Sequence, residues 1–135
     1  MLQIVYISRA CIPLDESALQ NISRNSTDRN ARVGITGLLL FDQFRFIQAL
    51  EGDDRAVRDT MVRIVDDDRH DNIILLSETT IDRRQFGEWS MDCRTTPRGP
   101  SSDTFVTTTK YDVRLVNDAS LRAAFIGFAI LGCRM

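Results

Sequence analysis

Two polar residues stand where the pattern of the chain calls for apolar ones. Over Phe44 to Leu50, strand alternation places Phe44, Phe46, Gln48 and Leu50 on one face and Arg45, Ile47 and Ala49 on the other. If the phenylalanine face is the core face, Gln48 lies among aromatic and aliphatic side chains. A buried amide needs partners for two donors and an acceptor, and leaving one unmet costs about 1–3 kcal/mol. Tyr6 repeats the anomaly, because Leu2 and Ile4 share its face in the N-terminal run, and a buried phenol also seeks a hydrogen bond. If the two strands are neighbours, Tyr6 and Gln48 satisfy each other. The pair then has two readings: a hydrogen bond inside a core, or an amide facing a heteroaromatic ligand held between helices.

Other residues offer less chemistry. Asp66, Asp67 and Asp68 lack the regular oxygen-ligand spacing of a calcium loop and suit a solvated helix end. Arg69 and His70 follow them, where positive charge complements the helix dipole. His70 is the single histidine, so a zinc site or a catalytic histidine pair has little to build on. Gly34 and Gly37 fit neither the P-loop nor the dinucleotide fingerprint and suit close backbone approach or a bulge. Cys11, Cys93 and Cys133 are odd in number and form no C-x-x-C pair, against a disulfide framework or zinc knuckle.

The elements that must position Tyr6 and Gln48 follow from periodicity. Residues 2–7 read as a strand, and Asp15 as the N-cap of a helix with Leu14, Ala18, Leu19 and Ile22 at helical spacing, ending near Asn25. The polar stretch 24–32 reads as helix end and loop. A hairpin follows, Ile35 to Phe41 and Phe44 to Leu50 about Asp42-Gln43. Asp53 or Asp54 caps a second helix whose buried stripe is Val57, Met61, Ile64 and Val65. Residues 72–80 form a strand with Ile73 to Leu76 as its apolar centre, and 88–94 a short fifth strand. The order βαββαβ predicts an α+β, ferredoxin-like fold with two helices on one face of a mainly antiparallel sheet. Residues 95–102 read as a linker and 103–116 are ambiguous between strand and irregular structure. Asn117 or Asp118 caps a last helix over about 119–131, too apolar to stand alone in water and expected to cover the free sheet face.

The chain has 135 residues, 43% of them hydrophobic, enough for one core but not two. With 17 Lys+Arg against 19 Asp+Glu, it lacks the general positive charge that nucleic acid attracts. Its apolar runs, such as 34–41 and 123–132, fall short of a bilayer span, and the N-terminus has no basic leader. A cytoplasmic protein that binds neither nucleic acid nor membrane is expected.

Five strings in this order resemble one family: YIS at 6–8, Asn30 followed by GITGLLLF, FIQALEG at 46–52, RIVDDDRH at 63–70, and RRQFGEWSM at 83–91. Together, across roughly residues 1–95, they resemble the BLUF domain, a blue-light sensor that uses flavin. The resemblance implies a flavin, usually FAD, with FMN or riboflavin as alternatives, held noncovalently between the two helices. By motif match, Tyr6 and Gln48 would be the photoactive pair. Asn30 would hydrogen-bond the ring's carbonyl edge, and Asp67, Arg69 and His70 would lie beside the flavin. Trp89 and Met91 match the segment that relays the signal. Many relatives have an asparagine just before the one matched here, where this chain has Arg29. No flavin contact carries over to it; its guanidinium suits a flavin phosphate or solvent equally.

The implied activity is photochemical, without substrate turnover. Light would drive electron and proton transfer from Tyr6 to flavin and rearrange the Gln48 amide. The signal would leave through the Trp89–Met91 strand and residues 96–135 to a separate effector protein, with the sheet face or C-terminal helix also available for homo-oligomer contacts. Two other classes compete: a light-independent flavin-binding reductase, and a structural interaction module in which Tyr6-Gln48 is only a core hydrogen bond.

Overall fold

The computed structural model describes residues 1–11, 15–86, 92–95 and 103–132. Their elements are β1 (Leu2–Ala10), α1 (Glu16–Val33), β2 (Thr36–Phe41), β3 (Arg45–Gly52), α2 (Asp54–Asp66), β4 (His70–Thr80), β5 (Asp92–Thr95), α3 (Asp103–Asp112) and α4 (Ala119–Gly132). The sheet order is β4-β1-β3-β2-β5. The first four strands pair antiparallel, and β5 joins the edge parallel to β2. This is the expected α+β ferredoxin-like arrangement. Its central neighbours are β1 and β3, with Tyr6 directly opposite Gln48.

Alternation along those strands divides the core in two. On one face Leu2, Ile4, Tyr6, Leu39, Phe46 and Leu50 meet Leu19 of α1 and Val57 and Met61 of α2. On the other, Val5, Leu38, Leu40, Ile47 and Ala49 meet Phe105 of α3, Val113 and Val116 after it, and Leu121, Phe125 and Phe128 of α4. Each fully buried leucine or phenylalanine contributes roughly 1.5–3 kcal/mol of transfer free energy. All of β2 is buried because both layers press on it, which is why its sequence is a continuous apolar run. The C-terminal helices thus cover the second sheet face, as their composition required. On the outer side of α4, Ile130 and Leu131 are exposed.

Several boundaries differ from expectation. Asp15 does cap α1, its Oδ1 accepting from the Ala18 N–H at 2.7 Å, but the helix runs to Val33 rather than Asn25. Residues 24–32 lack an apolar period because their inward side faces a cavity, not a core. Gly34 ends α1 in the left-handed conformation at φ 71°. Gly37 serves close approach: a Cβ there would fall 1.9 Å from the Ala49 carbonyl oxygen. Phe44 does not join the face of Phe46 and Gln48. It belongs to the turn and is exposed, and the Asp42 carboxylate accepts from the Phe44 and Arg45 N–H groups there. On α2, Val65 is exposed, and the buried stripe is Val57, Thr60 and Met61, with Ile64 packed at its margin. In β4, Ile74, Leu75 and Leu76 are exposed because the strand is a sheet edge, and only Ile73 packs on the core. The ambiguous stretch after residue 102 opens as helix α3, and β5 runs to Thr95, which the linker was expected to include.

Candidate functional site

Between α1, α2 and the sheet lies a cavity of about 150 Å³, several times the roughly 30 Å³ of one water molecule. The sheet supplies Tyr6, Leu39, Phe46 and Gln48 as its floor. From α1 come Ile22, Asn25, Ser26, Arg29 and Asn30, the i, i+3, i+4, i+7, i+8 stripe of one helix face. From α2, the turn after it and the first residue of β4 come Thr60, Arg63, Ile64, Asp67, Arg69 and His70. The cavity therefore brings together Tyr6, Gln48, Asn30, Asp67, Arg69 and His70. Trp89 and Met91 lie outside the described residues.

The Tyr6 hydroxyl donates to Gln48 Oε1, and both residues are buried. Burial pushes the phenol far above its ordinary pKa, and the Asp67 carboxylate adds to the shift. Both effects favour the neutral phenol.

His70 is held at both ring nitrogens. Nε2 lies 2.6 Å from the Ile64 carbonyl, which can only accept, so Nε2 carries the proton. Nδ1 then accepts from the Ser8 hydroxyl at 2.7 Å. With its nitrogens engaged, His70 offers the cavity an aromatic surface, edge-on to Tyr6 at 6.4 Å and to Phe46 at 6.1 Å between centroids. Asp67 and Arg69 form a tight pair: Arg69 Nε donates to Asp67 Oδ1 at 2.8 Å, the Arg69 N–H donates at 3.1 Å, and the second guanidinium arm also bonds the carboxylate. The Arg69 hydrogen bond holds the Asp67 carboxyl below its ordinary value, and Asp67 raises Arg69 in return.

Asn30 is buried at the cavity wall. Among the described residues its side-chain amide has no protein hydrogen-bond partner, so its donors and acceptor are directed to whatever fills the space. A flat heteroaromatic ring with polar edges fits this wall: apolar Ile22, Leu39 and Phe46 for the ring, and the amides of Asn30 and Gln48 for carbonyl and N–H groups. Two cations, Arg29 of α1 and Arg63 of α2, line the cavity from opposite helices, exposed and without an ion pair among the described residues. Sequence reasoning missed Asn25, Ser26, Thr60 and Arg63. The signal for the first two was present as a polar stripe at helical spacing with Asn30, but it was read as a loop. No cluster of metal-ligating side chains occurs among the described residues, and no helix there is long and apolar enough to cross a membrane.

Comparison with known proteins is consistent with this site. The family described as sensors of blue-light using FAD matches residues 1–92. The photoactivated adenylate cyclase subunit beta of Euglena gracilis is 36% identical over 93 residues, which is 68% of this chain and 11% of that one. The chain thus spans only about 11% of the length of such curated relatives. Among solved structures, the dark state of BlrB, a BLUF protein, is 26% identical with a TM-score of 0.73, covering 99% of this chain and 96% of that one. Klebsiella pneumoniae BlrP1 with FMN and cyclic diGMP is 29% identical with a TM-score of 0.75, covering 94% of this chain and 35% of that one. The sequence resemblance ended near residue 95, whereas the likeness to BlrB takes in α3 and α4 as well.

Proposed function

The chain belongs to the BLUF family of blue-light flavin sensors, and we propose that Tyr6 and Gln48 are its photoactive pair. The observation that carries this reading is the hydrogen bond from the Tyr6 hydroxyl to Gln48 Oε1 across directly paired strands, at the floor of a cavity lined by the unpartnered Asn30 amide. A bound flavin would supply blue-light absorption and a transient acceptor for one electron and one proton. Tyr6 would give up the proton only with or after the electron, since burial keeps its phenol from ionising by proton loss alone; the proton would leave along the hydrogen bond to Gln48 Oε1, and Tyr6 would recover both on return. Gln48 would be left with its amide rearranged, by rotation or tautomerisation, and would then offer a bound flavin a different hydrogen-bonding group and redden its absorption. Asn30 orients the ring through its amide. His70, fixed by Ser8 and Ile64, walls the cavity, and the Asp67–Arg69 pair holds the turn that carries it.

FAD is the form we favour. Arg29 and Arg63 face the cavity from both helices with free guanidinium groups, which suit the phosphates of FAD or FMN and have nothing to bind on riboflavin. In this reading residues 1–95 are the photosensor. Trp89 and Met91 and the extension 96–135 pass its state to an effector.

The test is mutational. Tyr6→Phe and Gln48→Ala should each retain flavin while abolishing the reversible red shift under blue light. A normal red-shifted state in either variant overturns the assignment.

A further inference from the structure

On the face of β3 opposite Gln48, Glu51 alternates with Ile47 and Ala49, yet it is a carboxylate with no solvent exposure. Such a group costs several kcal/mol to desolvate unless its lone pairs are filled. Here all of them are. Oε1 accepts from the Thr36 hydroxyl at 2.8 Å and the Phe86 N–H at 2.9 Å. Oε2 accepts from the Gln85 N–H at 2.8 Å and the Gln3 amide at 3.4 Å. Positive charge stands one bond away, since the Arg84 guanidinium donates to Thr36 Oγ1 at 2.8 Å.

Two of those four donors are backbone groups of the turn after β4, and that turn also grips the C-terminal helices. Gln85 Oε1 accepts from the Asn117 N–H at 2.8 Å, just ahead of α4. The Phe86 ring packs edge-on against Phe125 of α4 at 5.8 Å between centroids. One short strand therefore carries Gln48 to the cavity on one face and, three residues on, the anchor of α4's contacts on the other.

We propose that Glu51 is a positioning residue for the light response: it fastens residues 85–86, and through them α4, to β3, so that a change at Gln48 is felt across the sheet. The inference rests on the reading of Tyr6 and Gln48 as the photoactive pair. A carboxylate is specified because only an acceptor-only group can take a backbone N–H on each oxygen. In Glu51→Gln, whichever way the amide turns, one of the two backbone N–H groups faces an NH₂.

The experiment uses the full flavin-loaded chain, following the flavin spectrum and amide hydrogen exchange in darkness and under blue light. In the wild type, light should shift the spectrum and change exchange over residues 117–125. In Glu51→Gln, dark exchange at Gln85 and Phe86 should rise about tenfold, the red shift should keep its amplitude, and the light-dependent change over 117–125 should disappear. A purely structural role would raise dark exchange but leave that light-dependent change in place, and this result overturns the proposal. So does a wild type that shifts its spectrum without any change over 117–125. Absence of the red shift in the wild type would instead defeat the photoactive pair, and unaltered dark exchange at 85–86 in Glu51→Gln would then defeat the anchor. If Glu51→Gln does not fold, Gln85→Ala leaves the carboxylate in place and removes the link to Asn117. It should reduce the light-dependent change over 117–125, and a full-sized change there counts against the coupling.

Discussion

On the α1/α2 face of the sheet, the central strands present Tyr6 and Gln48 to a cavity of about 150 Å³, while on the α3/α4 face the same strands present Val5, Ile47 and Ala49 to a filled apolar core. One face turns polar groups toward an open cavity. The other is packed, and Glu51, the carboxylate that β3 places in it, has every lone pair engaged. Strands of period two make this division of labour possible, because neighbouring residues answer to different layers. The difference teaches where changes should act: on the packed face they should cost stability, and on the cavity face they should alter flavin binding and colour.

The largest expected effect ignores the division because it strikes the sheet itself. Gly37→Ala places a methyl 1.9 Å from the Ala49 carbonyl oxygen, so β2 and β3 cannot keep their pairing. Loss of a cooperative unfolding transition and of soluble folded protein is the expected outcome, checked by circular dichroism.

Leu40 and Leu39 compare the faces directly. Leu40 is wholly buried in the packed core, and Leu40→Ala should cost about 2–5 kcal/mol in urea unfolding with the flavin spectrum unchanged. Leu39 borders the cavity. Leu39→Ala should cost less in the flavin-free protein and should weaken flavin binding, as measured by fluorescence quenching. Equal stability losses with no difference in flavin affinity would break the comparison.

Smaller again is the effect at the cavity's charged rim. The double variant Arg29→Ala, Arg63→Ala should lower affinity for FAD and FMN about tenfold at low salt and less at high salt, leaving riboflavin unaffected. Equal losses for all three flavins would remove the phosphate role.

The smallest effect is acid sensitivity from Asp67. Arg69 holds its carboxyl below the ordinary value, so as pH falls the unfolded chain takes up the proton first. The stability this pair contributes is fully present above the ordinary carboxylate pKa, near 4, and is lost as pH falls through the lowered value. Because the pair is partly exposed, the amount is about 1 kcal/mol or less. Asp67→Asn should flatten the fall of Tm between pH 5 and pH 3 by a corresponding margin.

What the sequence disclosed divides along the same faces. Tyr6 and Gln48 were legible because each interrupts an apolar alternation, and the order βαββαβ implied that their strands are neighbours. The second half of α1 was not legible, because Asn25, Ser26, Arg29 and Asn30 face the cavity and so erase the apolar period that marks a helix. Val65 and the centre of β4 misled in the opposite direction. Their hydrophobicity suggested burial, but an edge strand and the outer side of a helix leave them in solvent. Glu51 gave no local sign of its partners, since residues 85–86 lie more than thirty positions away. Only the pairing of β2 with β3 and the return of the chain after β4 bring them together.

If this cavity holds a flavin whose surroundings light rearranges through Tyr6 and Gln48, the flavin's colour must report it. The light-minus-dark absorption spectrum of the purified wild-type protein tests it most directly. The account predicts a yellow protein whose absorption shifts reversibly to the red under blue light and recovers in darkness. A yellow protein without that shift, or a colourless one that fails to take up flavin, would contradict it.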